Sequence, residues 1–189
     1  MKIDKKGYTL IELLAVIIIL VTVGTIIISI LTSTMRAGNK SATTENVRRN
    51  GNFAIEQMSK MMTYAKSFQG VSIDGVNYNN CVPPTVELLI PTPTPTQYKY
   101  VKITSFDEGQ TVFQCVDSKI ASVSAAQTYY LADSNMIATC YFICFQQTEV
   151  ASPRIDIYLN LKAKSESIFS ESQAVIPFQI SVTMRNGGL

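Results

Sequence analysis

Hydrophobic and polar positions divide the chain into three regimes. From Tyr8 to Leu31 apolar residues run almost unbroken, 24 residues with a single charged side chain, Glu12. At about 1.5 Å per residue such a helix covers a hydrocarbon layer of roughly 30 Å. The run therefore predicts a helix able to cross a membrane. Beyond it, Val47, Ala54, Met58, Met61, Ala65 and Phe68 recur at spacings of 7, 4, 3, 4 and 3, and Ile55 and Met62 widen the stripe. That is the period of an amphipathic helix facing a core. Together the two patterns predict one helical spine from about Tyr8 to Phe68, loosened at Gly38 and at Asn50-Gly51-Asn52.

After residue 70 the period changes to two. RIDIYLNLK, residues 154–162, places Ile155, Ile157, Leu159 and Leu161 on one face, and FQISVTMR, residues 178–185, does the same with Phe178, Ile180, Val182 and Met184. These are half-buried strands. VELLI (86–90), QYKYVKI (97–103), QTVFQCV (110–116) and MIATCYFICF (136–145) complete the set. The connections are too short for parallel crossovers, so an antiparallel sheet packed on the helix is expected, an α+β fold. PTPTPT, residues 91–96, reads as an extended, polyproline-like connection. LADSN, residues 131–135, reads as a turn, with a calcium site as the weaker alternative. The expected organisation is a short basic segment at 1–7, a transmembrane helix at 8–33, an amphipathic continuation at 34–70 and a β-rich domain at 71–189.

Composition narrows the chemistry. The chain has no histidine, which removes the usual general base and the commonest metal ligand. No pairing of carboxylates or lysines takes its place, so an enzyme is not expected, nor a cofactor. The formal charge is +2, and Lys2, Lys5 and Lys6 against Asp4 account for it, leaving the chain beyond Gly7 neutral. Nucleic-acid binding normally shows as clustered excess Lys and Arg, and no general grip of that kind is expected.

Cys81, Cys115, Cys140 and Cys144 all follow the apolar run. Outside the cytoplasm they allow three full pairings; buried free thiols are the alternative. Cys140 and Cys144 are four apart on a predicted strand, about 13 Å if it is straight, so they pair only across a bend. Cys81 with Cys115 is the preferred bridge. The C-x3-C spacing is not that of a zinc site. Asn39-Lys40-Ser41 matches a glycosylation sequon, a pattern too common to weigh.

Glu12 is the anomaly. A carboxylate at hydrocarbon depth is unfavourable by about 2.5–3.5 kcal/mol on insertion scales, which makes it a functional candidate. The plainer reading is a carboxylate at a helix N-terminus, stabilised by the dipole by about 0.3–1 kcal/mol. The apolar run exceeds the length of a removable secretory signal. Lysines before it tend to stay in the cytoplasm, which would place the C-terminal domain outside, although Arg36 and Lys40 on the far side weaken that charge argument.

KKGYTLIELL resembles the processing site of type IV pilins and type II secretion pseudopilins: a basic leader, a glycine, an aromatic residue, and glutamate five positions after the glycine. The resemblance implies cleavage between Gly7 and Tyr8 by a membrane-embedded prepilin peptidase, N-methylation of Tyr8, and an assembly role for Glu12. Phenylalanine is commoner than tyrosine at the first mature position. Major subunits of the family carry a proline where this chain has Ser29, which favours a minor pilin or pseudopilin. The long helix, cysteine-bearing strands, LADSNM turn, RIDIYLNL strand and terminal FQISVTMRN look more loosely like the J-type minor pseudopilins and related minor pilins. The partners implied are the peptidase, other pilins or pseudopilins through the N-terminal helix, an inner-membrane assembly platform, and lipid before assembly. A minor pilin acting as a binding module for DNA, a surface or a secreted protein is the second reading. A tethered enzyme is the third.

Overall fold

The computed structural model describes residues 9–81, 95–147, 151–164 and 175–185. The basic leader with Gly7 and Tyr8, the VELLI segment and residues 91–94 of PTPTPT lie outside the described residues. One long helix, α1 (Leu10–Thr63), precedes β1 (Ser67–Ser72), β2 (Tyr100–Thr104), β3 (Gln110–Val116), β4 (Lys119–Ser124), β5 (Gln127–Tyr130), β6 (Met136–Phe145), β7 (Arg154–Ala163) and β8 (Ile176–Thr183). The fold is α+β, and all paired strands are antiparallel. The chain divides into two compact units, Met1–Ala42 and Thr43–Leu189.

In the first unit α1 presents its apolar side chains outward; Leu10 is 83% exposed and Ile28 63%. Its hydroxyls do not compete with the helix. Thr22, Thr25, Thr32 and Thr34 each donate to a carbonyl three or four residues earlier, at 2.8–3.0 Å. This arrangement satisfies each polar hydrogen locally and leaves an apolar exterior.

In the second unit α1 buries Val47, Gly51, Ala54, Met58 and Met62, steps of 4, 3, 4 and 4. The stripe is thus centred on Met62 rather than Met61, which is only partly buried. No loosening occurs at Asn50-Gly51-Asn52, where Asn50 and Gly51 each serve the packing. The Phe178 ring lies directly on Gly51, where a Cβ would fall well inside van der Waals contact. Asn50 donates to the Asn46 carbonyl at 3.0 Å and accepts the Asp133 N–H at 3.1 Å, tying the LADSN turn to the helix. That turn closes with Met136 N–H on the Asp133 carbonyl at 2.9 Å.

The spine ends earlier than the periodicity indicates. α1 stops at Thr63, and Phe68 belongs to β1. Lys66 N–H bonds the Thr104 carbonyl at 2.8 Å, so pairing with β2 takes over within three residues. Ala65 and Phe68 still pack on the core, which is why the apolar spacing did not register the change.

Two sheets form where one was expected: a five-stranded sheet in the order β1-β2-β3-β4-β5 and a three-stranded sheet β6-β7-β8. β4 and β5 have no counterpart in the strand pattern read from sequence. Their hairpin turns on Ala125 and Ala126 with φ of 49° and 64°, a left-handed pair that normally calls for Asn or Gly. Ile155, Ile157, Leu159 and Leu161 are buried as the alternation predicted, and Val182 and Met184 join them.

The sheets are joined at the edge of β6. Tyr98 and Phe142 exchange backbone hydrogen bonds at 2.9 and 2.8 Å, and Ala138 N–H bonds the Ser118 carbonyl at 2.8 Å. Two disulfides, Cys115–Cys140 and Cys81–Cys144, with Cα separations of 5.6 and 5.2 Å, reinforce this seam. The preferred Cys81–Cys115 bridge is therefore wrong. Cys140 and Cys144 share the core-facing side of β6 and cannot reach each other, so each takes a cysteine from across the seam.

A turn after β1 delivers Cys81. The Asp74 carboxylate accepts Asn77 N–H at 3.0 Å, the Ser72 hydroxyl at 2.7 Å and Val76 N–H at 2.9 Å. The chain then returns through paired bonds between Val71 and Asn79 at 2.9 and 3.0 Å. The donors on Asp74, the Asn77 N–H foremost, hold its carboxyl well below the usual range.

Two outcomes follow from this packing. Gly51→Ala gains about 0.8–1.0 kcal/mol of helix propensity but overpacks against Phe178 at a cost of about 1–3 kcal/mol, so urea unfolding of the full chain should show net destabilisation. The same change at Gly38, which has nothing within 4 Å, should stabilise. For the Asp74 turn the sign is that of a depressed carboxyl: its stabilisation is complete above the unfolded value near 3.9 and is lost as pH falls through the lower folded value. The Val76 and Asn77 amide shifts should therefore titrate with a midpoint below the ordinary aspartate range, and Asp74→Asn should abolish that titration.

Candidate functional site

The first turn of α1 holds Glu12. Thr9 precedes the helix, and the two residues bond reciprocally: Glu12 N–H to the Thr9 hydroxyl at 3.4 Å, and Thr9 N–H to the Glu12 carboxylate at 3.5 Å. Thr9-Leu10-Ile11-Glu12 is thus a capping box that closes two orphan amides of the helix start. Both bonds are long and correspondingly weak. The T-x-x-E pattern ahead of an apolar run was legible in the sequence, and the dipole reading of Glu12 captured only part of it. The carboxylate remains exposed despite the cap.

Glu12 stands at the head of an apolar face. Val16, Ile19, Leu20, Val23, Gly24 and Ile27 line a shallow groove along α1. They follow Glu12 by 4, 7, 8, 11, 12 and 15 residues, which at about 100° per residue centres their face roughly 50° round the helix from Glu12. Gly24 deepens the groove, since nothing lies within 4 Å of the position its Cβ would take. α1 is long and apolar enough to cross a membrane, with a mean hydropathy of 3.0 over its most apolar 18 residues and none of that stretch buried.

The other candidates distribute differently. Gly7 and Tyr8 lie outside the described residues, so the geometry speaks to Glu12 alone. Cys81, Cys115, Cys140 and Cys144 are all in disulfides and serve the seam between the sheets. The LADSN oxygens belong to a turn bonded to Asn50, and among the described residues no three His, Cys, Asp or Glu side chains gather where they could hold a metal ion. Asn39-Lys40-Ser41 lies within α1.

Comparison with protein-family models, with curated proteins and with solved structures found no match.

Proposed function

We propose that this protein is a minor pilin or minor pseudopilin, cleaved and N-methylated by a prepilin peptidase and assembling through its N-terminal helix at the tip or initiation complex of a fibre. The observation that carries the reading is the exposed Glu12 carboxylate at the head of an unburied apolar face. The α+β architecture, with one long helix continuing from the apolar segment into the core of a disulfide-bonded domain, accords with it.

The chemistry runs as follows. Hydrolysis of the Gly7–Tyr8 peptide converts an uncharged amide nitrogen into an amine with a reference pKa of about 7.7–8.0, and methylation leaves it basic and protonated. The new cation can meet Glu12 of a neighbouring subunit. Two unit charges 4 Å apart at an effective dielectric of 20 attract by about 4 kcal/mol, comparable with the roughly 2.5–3.5 kcal/mol that disfavours a carboxylate at hydrocarbon depth. Matched subunits recover that cost; an unprocessed neighbour, lacking the amine, does not. The pair acts as a register device along the groove, and cleavage gates assembly. The same orientation puts the N-terminus in the cytoplasm and the cystine-bearing domain in an oxidising exterior, where such bridges persist. With no histidine and no nucleophile constellation, the protein works by assembly rather than by catalysis.

The capping box provides the discriminating experiment. Glu12→Gln can still cap, since glutamine serves at that position, but cannot pair with a cation. Both Glu12→Gln and Glu12→Ala should be cleaved and should fold, yet enter fibres at least about tenfold less than wild type in sheared-fibre immunoblots. Normal entry of the Gln variant would reduce Glu12 to a helix cap.

A further inference from the structure

The three-stranded sheet has two dissimilar faces. One enters the core shared with α1 through Ile155, Ile157, Leu159 and Leu161. On the other, alternate residues expose a patch with an aromatic centre. Tyr141 and Tyr158, directly opposite each other on β6 and β7, stack with ring centroids 4.8 Å apart and planes within 11°. Gln179, opposite Tyr158 on β8, donates its side-chain N–H to the Tyr158 hydroxyl at 3.0 Å, which fixes the ring in place. Asn160 follows Tyr158 along the same face, and both it and Gln179 are exposed.

One end of this patch is buried. Asp156, two residues before Tyr158 and opposite Ser181, is 7% exposed. Its Oδ1 accepts no hydrogen bond, although Arg154 Nε approaches it at 3.3 Å. The Arg154 guanidinium meets both carboxylate oxygens, its Nη2 lying 3.4 Å from Oδ2, so this end of the face is closed by its own ion pair. Neighbouring strands lie about 4.8 Å apart and alternate residues about 6.7 Å, so aromatic stack, amides and hydroxyl fall within one small flat patch.

We propose that this face binds a neutral glycan. An aromatic surface accepts the C–H face of a sugar ring, and the amide and hydroxyl groups around it match ring hydroxyls as both donors and acceptors. A polyanion fits less well: nucleic-acid grooves surround their stacking aromatics with unpaired cations, whereas Arg154 is engaged by Asp156 and lies over the Phe145 ring at 4.6 Å. The proposal stands on the outer domain alone and survives failure of the assembly reading.

The test uses the full chain in a detergent without a sugar headgroup. Maltotriose, cellotriose and triacetylchitotriose are titrated and followed by saturation-transfer NMR. At least one should bind saturably below about 10 mM, with the strongest transfer to ring C–H protons. Tyr158→Ala should weaken it at least about tenfold and Gln179→Ala severalfold, while Tyr158→Phe retains stacking and most of the affinity. Tyr130→Ala, on β5, should change nothing. Gln179 and Tyr130 are exposed, so those variants report on binding without threatening the fold. Absence of saturable binding for all three sugars, binding indifferent to both Tyr158→Ala and Gln179→Ala, or Tyr158-dependent binding of oligothymidylate with no sugar response would each overturn the proposal.

Discussion

An acid at the head of an apolar helix is the constraint around which the first unit is arranged. Lipid tolerates Val, Ile and Leu at every position of such a helix, and it tolerates hydroxyls that turn back on the preceding carbonyls, as Thr22, Thr25, Thr32 and Thr34 do. It does not tolerate an unmatched carboxylate cheaply. The capping box with Thr9 supplies two weak bonds at 3.4 and 3.5 Å, too little to offset that cost. The cationic chain end proposed for a neighbour would be of the right magnitude.

The second unit meets a different requirement. α1 enters its core through a stripe that includes a glycine, and Phe178 from the last strand fills the space that glycine leaves. The sheets are held edge to edge by backbone bonds and by two disulfides that both end on β6. Closing such loops restricts the unfolded chain, by about 3 kcal/mol or more for loops of this length in the entropic account. Both restraints lie within the domain's own chain. The face of the three-stranded sheet turned away from the core is half-exposed and carries an aromatic centre.

Much of this was legible in the residue pattern, and the omissions have identifiable causes. The apolar run, the strands at RIDIYLNL and FQISVTM and the LADSN turn follow from simple periodicity and turn chemistry, because each buries one face or closes locally. The β4–β5 hairpin did not, because it turns on Ala125-Ala126, residues that carry no turn preference. Gly51 read as a weak point in the helix, since the ring that occupies its space comes from 127 positions further along the sequence. The cysteine pairing failed for a related reason: spacing along β6 excluded Cys140–Cys144, but which partner lay across the seam depended on how two sheets met. The tyrosine stack combines residues from different strands, and only strand register brings them together.

The central claim is that Glu12 is matched by an amine made by cleavage, and the intact mass of the chain recovered from membranes of cells with an active prepilin peptidase tests it most directly. The account predicts a polypeptide that begins at Tyr8 and carries one added methyl group. A chain that retained residues 1–7 and still entered fibres would contradict it.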